Sequence, residues 1–158
     1  MTSRYILALL LTAAAAAVSA CSDDGGTDPP PGEDPFFPAD YLDSYVLVRD
    51  CRFSVEHDGV YVIVHADPAS ADDYVDGNYP FEEGTILVKT LFHDENCSDL
   101  AGYAVMKKGP AGTAPSSGDW LWQDVGATRS VAASGVLQAC ISCHSVCTEG
   151  RDFACTDK

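Results

Sequence analysis

Near its C-terminal end the chain reads Cys140-Ile141-Ser142-Cys143-His144. Two thiols three positions apart with an imidazole directly after them suit covalent haem. Each thiol can form a thioether with a haem vinyl group, while the next residue turns its ring onto the iron. The motif therefore predicts one covalent haem c, attached through Cys140 and Cys143, with His144 as the proximal ligand of the iron. The competing chemistry is zinc, since Cys147 and Cys155 could complete a set of four thiolates. Such a site is less expected where thiols meet an oxidising compartment. The sixth coordination position decides what the haem does: a second strong ligand limits it to electron transfer, and an open position admits small molecules. Met106 is the one methionine besides Met1, and its place in a strand reads as core. His57, His65 and His93 have the right ring nitrogens, but each reads first as a surface or hairpin histidine.

The N-terminus supplies the oxidising compartment. Residues 1–20 combine Arg4, an apolar run over 6–18 and small residues at Ser19 and Ala20, which is the order of a signal peptide. The apolar stretch is too short to read as a membrane span. Val18-Ser19-Ala20-Cys21 resembles the lipobox of bacterial lipoproteins, so Cys21 is expected to carry lipid and become the mature N-terminus. The domain would then face the periplasm from the bacterial cell envelope, at the outer membrane. Residues 21–40 are rich in Asp, Gly and Pro and read as a solvated tether. The domain is placed at 41–158, with a modest core that covalent staples would help.

The formal charge is −15, and the only charged side chain in residues 1–20 is Arg4, so the mature chain is at −15 − 1 = −16. That balance argues against nucleic acid and against anionic headgroups as partners, and leaves membrane attachment to the lipid. A basic cytochrome is the kind of redox partner it would suit. Cysteine arithmetic points the same way. Of seven cysteines, lipid takes Cys21 and haem takes Cys140 and Cys143, which leaves Cys51, Cys97, Cys147 and Cys155 for disulfides. Three pairings exist, and the favoured one joins Cys51 to Cys97 and Cys147 to Cys155. Loop closure would credit these with roughly 4 and roughly 2.5 kcal/mol before strain.

Around the motif, runs rich in β-branched and aromatic residues predict strands over 44–52, 59–66, 84–92, 102–108, 120–124 and 129–133. The first two are joined across Glu56-His57-Asp58-Gly59. Asp67-Pro68 predicts the cap and first residue of a short helix that stops near Gly77. A second helix over 135–144 would put Cys140 and His144 one turn apart on one face. The fold class expected is α+β, mainly antiparallel sheet with few short helices.

Taken in order, Pro80-Phe81-Glu82-Glu83-Gly84-Thr85-Ile86-Leu87-Val88-Lys89, Tyr103-Ala104-Val105-Met106-Lys107-Lys108, Asp119-Trp120-Leu121-Trp122, the C-x-x-C-H motif and Arg151-Asp152-Phe153 resemble the cytochrome P-460 family. The likeness spans roughly residues 41–158. It implies a β-rich domain with one c-type haem and a distal position open or filled by water. Members of the family oxidise hydroxylamine, and the related β-sheet cytochromes c′ bind nitric oxide without that turnover. In the name-giving members a lysine is cross-linked to the macrocycle. Lys89 is the candidate, because it alternates with Leu87 and Leu91 on one strand face; Lys107 and Lys108 are the fallbacks. An edge lysine with its stem on apolar neighbours would give the same pattern. Turnover also needs a proton acceptor, for which Glu56, Asp58, Glu82, Glu83, Asp119 and Asp124 all qualify. Trp120 and Trp122 read as core that could wall a pocket. Cys147 and Cys155 depart from the simple family pattern. Three functions stay open: a haem enzyme oxidising hydroxylamine, a non-catalytic cytochrome that binds nitric oxide or relays electrons, and a haem-free disulfide-stabilised lipoprotein.

Overall fold

The computed structural model describes residues 32–147 and 150–155. The expected signal peptide, Cys21 and most of the expected tether lie outside the described residues. Six strands form one antiparallel meander: β1 (Val46–Ser54), β2 (Val60–Ala66), β3 (Ile86–Phe92), β4 (Leu100–Lys108), β5 (Trp120–Gly126) and β6 (Val131–Gly135) lie in chain order across the sheet. Three short helices accompany them, α1 (Tyr41–Ser44), α2 (Ala71–Asp76) and α3 (Gln138–His144). This is the expected mainly antiparallel α+β fold. Neighbouring strands are adjacent in sequence, so the sheet is assembled from hairpins that need no crossover connection.

Strand alternation gives the sheet two faces with different cores. One face gathers Val64, Ala66, Leu87, Met106, Trp120 and Trp122 beneath Tyr74 of α2 and Ile141 of α3. The opposite face packs Val88, Tyr103, Val105 and Val125 under Phe37 and Tyr41. The folded part begins before residue 41. Phe37 is fully buried, with the Arg129 guanidinium 4.3 Å over its ring. Gln123 accepts from the Phe36 N–H at 2.7 Å and Glu33 accepts from the Ser134 hydroxyl at 2.7 Å. Residues 33–37, expected to belong to the tether, therefore dock on the sheet.

The strands fall within about two residues of their expected ranges, and the boundaries of α2, β6 and α3 differ for local reasons. Helix α2 starts at Ala71 instead of Pro68, because residues 68–70 form a separate turn ahead of it, closed by the Ser70 N–H donating to the Asp67 carbonyl at 3.2 Å. The Asp67 carboxylate caps that turn by accepting from the Ala69 N–H at 3.0 Å and from the Ser70 hydroxyl, and it also accepts from the Ile86 N–H at 2.8 Å, tying the turn to β3. The helix stops as expected at Gly77, whose φ of 75° is the left-handed conformation that glycine adopts without cost. β6 is shifted to Val131–Gly135 because Arg129, at φ 66°, sits in the turn after β5. α3 begins correspondingly late, with Leu137 at its N-cap position and no side-chain cap.

Cys51 is bonded to Cys97, with Cα atoms 6.0 Å apart, and Cys147 to Cys155, at 5.3 Å. This is the favoured pairing. The first bridge fastens β1 to the β3–β4 turn, which is itself organised by Asp94. That carboxylate accepts from the N–H groups of Ser98 and Asp99, each at 2.8 Å, and from the Ser98 hydroxyl at 2.7 Å. The Asp99 N–H above all, then the Ser98 groups, hold its pKa well below the ordinary carboxylate range. A depressed folded pKa contributes stability that is present above the unfolded value near 3.9 and is lost as pH falls through the folded value. Asp94→Ala is therefore expected to lower Tm at neutral pH, with the gap to wild type closing below about pH 4. Thermal melts of both proteins across that range check this, and a gap independent of pH would contradict it.

Candidate haem site

Helix α3 lies over the face of the sheet that carries Trp122 and Leu87, and a cavity of about 730 Å³ opens between them. Its volume is in the range of sites that enclose a cofactor. Val64 of β2, Leu87, Lys89 and Leu91 of β3, Ala104 and Met106 of β4 and Trp122 of β5 form the floor, and Cys140, Cys143 and His144 of α3 form one wall. Each strand contributes alternate residues, so the sheet supplies a mostly apolar surface with one inward lysine. Lys89 is paired in register with Val64 and Ala104. The facing wall comes from the end of the β1–β2 hairpin, where Glu56, His57 and Asp58 reach the cavity.

The two motif cysteines are unpaired, Cys140 half-buried and Cys143 exposed, whereas the other four cysteines of the described part are disulfide-bonded. Burial, then Asp124, then the neighbouring Cys143 push the Cys140 thiol up to about 11. Its thiolate fraction is accordingly low, which slows exchange with other sulfurs. The pairing of Cys147 with Cys155 removes two of the four thiolates a zinc site would require. Among the described residues no group of three or more His, Cys, Asp and Glu side chains is placed to hold a metal ion.

The segment after the motif, whose Cys147 and Cys155 depart from the simple family pattern, has a definite job. His144 Nδ1 lies 2.6 Å from the Phe153 carbonyl oxygen, to which it can only donate. Nδ1 thus carries the proton and Nε2 keeps its lone pair, the tautomer a metal ligand requires. Phe153 is held in place from several sides. Its N–H donates to the Cys147 carbonyl at 3.1 Å, the Cys147–Cys155 bond closes the loop, and Asp152 and Phe153 take the left-handed φ values 46° and 64°. Gly118 packs against the ring so closely that a Cβ there would come within 2.8 Å of it. Behind this loop Lys108 Nζ meets both Asp152 carboxylate oxygens at 2.7 Å, and Trp120 Nε1 donates to the Asp152 carbonyl at 2.7 Å. Burial first, opposed by the bond to Phe153, lowers the His144 pKa and keeps the ring neutral.

The structure sorts the remaining candidates. Of the lysines, Lys89 stands in the cavity wall; Lys107 lies 5.4 Å over the Phe36 ring and Lys108 is bound to Asp152. Of the carboxylates, Glu56, Asp58 and Asp124 line the cavity, while Asp119 caps the Gly112 and Ala114 N–H groups elsewhere. Glu82 and Glu83 are exposed and do not line it. Trp122 lines the cavity with its ring centre 6.2 Å from that of His144, whereas Trp120 belongs to the core behind it. His65 lies near Tyr41 on the opposite face, and His93 is not in the cavity. His57, which the sequence places on a surface hairpin, is in it. Its Nε2 is 3.3 Å from Lys89 Nζ, and its ring centre is 6.4 Å from that of His144. Burial first, then the Lys89 ammonium, lower the His57 pKa to about 4; burial and Arg52 lower that of Lys89 to about 8.

The residues fit a covalently held porphyrin. Two unpaired thiols and an imidazole with a free Nε2 sit at one edge of an apolar cavity. The Trp122 indole Nε1 is buried without a partner among the described residues, a donor that the protein itself leaves unsatisfied. A meandering sheet whose apolar face is roofed by a thiol–thiol–imidazole helix defines a protein built around a haem edge.

The family profile of Cytochrome P460 matches residues 38–156, and the chain belongs to that family. The family implies a haem cofactor, in agreement with the fit of the cavity. No curated protein matches the chain.

Proposed function

We propose that this is a lipid-anchored cytochrome of the bacterial envelope that carries one covalent haem c and takes a small nitrogenous molecule, hydroxylamine or nitric oxide, into its cavity. Thioethers from Cys140 and Cys143 and the Nε2 of His144 would hold the haem. The observation that carries this reading is that these three groups converge on one cavity while the other described cysteines pair with each other. Cys21, at the end of the lipobox-like Val18-Ser19-Ala20-Cys21, would anchor the chain through lipid. The acidic surface suits a basic cytochrome as electron acceptor.

When bound, the haem supplies a coordination position for the nitrogen and a place for its electrons. The protein's own residues supply the rest. Leu87, Leu91 and Met106 exclude water from the floor, and the Phe153 carbonyl fixes the plane of the His144 ring. Glu56 and Asp124 offer carboxylate oxygens to take protons from a bound nitrogen, and the neutral His57 ring is a third acceptor. Lys89, which lines the cavity, would be the residue for a cross-link to the macrocycle like that of the name-giving members. Oxidation of hydroxylamine is the leading reading. A non-catalytic nitric-oxide-binding or electron-transfer role is favoured by one observation, the closeness of His57 to His144.

The full chain, matured alongside a cytochrome c attachment system, tests this. An intact mass increased by one haem and by lipid is expected, together with consumption of hydroxylamine when an oxidised cytochrome is supplied. A haem protein that binds nitric oxide but leaves hydroxylamine untouched selects the second role. A colourless protein with no haem mass leaves only a disulfide-stabilised lipoprotein.

A further inference from the structure

His57 closes the short 3-10 turn Val55–His57 at the end of the β1–β2 hairpin, and its ring faces that of His144 with centres 6.4 Å apart and planes at 90°. Two explanations fit that spacing. Ordinary edge contacts between rings span about 4.5–7 Å. Two imidazoles on opposite sides of one metal, each bonded at about 2 Å, also have ring centres roughly 6 Å apart, and their planes are free to take any angle about the common axis.

The ring nitrogens favour the second explanation. His144 donates through Nδ1 to the Phe153 carbonyl at 2.6 Å. His57 is anchored in the same way, with Nδ1 3.1 Å from the Ser54 hydroxyl of its own hairpin. Its Nε2 lies 3.3 Å from Lys89 Nζ, a donor. The consistent assignment gives Nε2 the lone pair and Nδ1 the proton. Each histidine is therefore tied to its own element through Nδ1 and keeps Nε2 as an acceptor in the cavity. An Nδ1 anchored by an oxygen, with Nε2 left to the metal, is the outer-shell pattern of metal-bound histidine. Edge packing alone requires neither anchor. The Lys89 contact is made by the end of a flexible side chain that a macrocycle would displace.

We propose that His57 is the second axial ligand of the haem, so that the resting iron is held between two imidazoles and a small molecule enters only by displacing His57. The proposal rests on the haem reading of the cavity and adds to it that the distal position is closed at rest. His57 lies in a turn followed by Asp58 at φ 59° and Gly59 at φ 71°, which turn the chain back into β2.

The test is spectroscopic and uses the matured full-length protein. The wild-type ferric haem is expected to be low-spin by absorption and electron paramagnetic resonance, with the signature of two imidazoles. His57→Ala should keep the haem mass, become high-spin, and return to low-spin when free imidazole is added. Nitric oxide should bind the variant on the order of tenfold or more tightly, since the competent state is no longer a minor fraction. A high-spin wild-type haem, or a His57→Ala protein that stays low-spin, overturns the assignment while leaving the cytochrome intact. A protein with no haem mass would instead sink the reading of the cavity itself.

Discussion

Replacing Cys140 and Cys143 together by alanine is expected to take the haem content of the matured protein from one per chain to none. The chain presents other sulfur and imidazole groups near the motif, among them Cys147, Cys155 and His57. None can substitute. Cys147 and Cys155 are consumed by their own disulfide, and an imidazole forms a coordinate bond that denaturing extraction breaks. The single variants separate the roles further. With either thiol kept, one thioether remains, so the haem mass is retained after denaturation and the absorption of the denatured haem shifts because one vinyl group stays conjugated. Intact mass before and after extraction of non-covalent haem decides the matter. Haem that stays bound through denaturation in the double variant would show that some other residue holds it.

The wall of the cavity carried by α3 was legible in sequence because it is local: five consecutive residues hold the thiols and the imidazole. Lys89 was legible for a similar reason, since strand alternation fixes its face once Leu87 and Leu91 are read as inward. Counting set Cys51, Cys97, Cys147 and Cys155 aside for disulfides, the favoured one of their three pairings is the one observed, and the succession of strand-like runs already pointed to a mainly antiparallel sheet. What the sequence did not disclose is where distant segments meet. Nothing in the spacing of Ser54, Glu56 and His57 says that the hairpin end folds over α3, because periodicity reports which face a residue shares and not what that face will touch. The six carboxylates were indistinguishable until the fold placed Glu56, Asp58 and Asp124 in the cavity and the other three outside it. The loop that fixes His144 was hidden in another way. Asp152 and Phe153 adopt left-handed backbone with no glycine to announce it, and they do so because a salt bridge, an indole hydrogen bond and a disulfide together over-determine the turn.

That over-determination sets up the largest stability effect expected outside the motif, at Asp152. The carboxylate and the Lys108 ammonium are almost buried, their side chains 11% and 10% exposed, and the ammonium also lies 5.0 Å from the centre of the Trp120 ring. Asp152 Oδ2 accepts a further bond from the Phe81 N–H at 2.9 Å. Asp152→Ala removes one partner of a buried pair and leaves an ammonium and an amide without acceptors, a change that costs about 3–5 kcal/mol. For a domain of this size that corresponds to a fall in Tm on the order of 10 °C. Asp152→Asn keeps an acceptor oxygen and a residue that tolerates left-handed backbone, so it should lose less. Pairing Asp152→Ala with Lys108→Met should recover much of the loss, because no charge is then left buried alone. The effect should also reach the haem. Asp152 positions Phe153, whose carbonyl holds His144, so at temperatures where Asp152→Ala is still folded its absorption spectrum should depart from wild type with the covalent haem mass unchanged. Thermal melts and spectra of the three variants together discriminate. A Tm within about 2 °C of wild type for Asp152→Ala would mean that the disulfide and the Trp120 bond suffice to hold the turn.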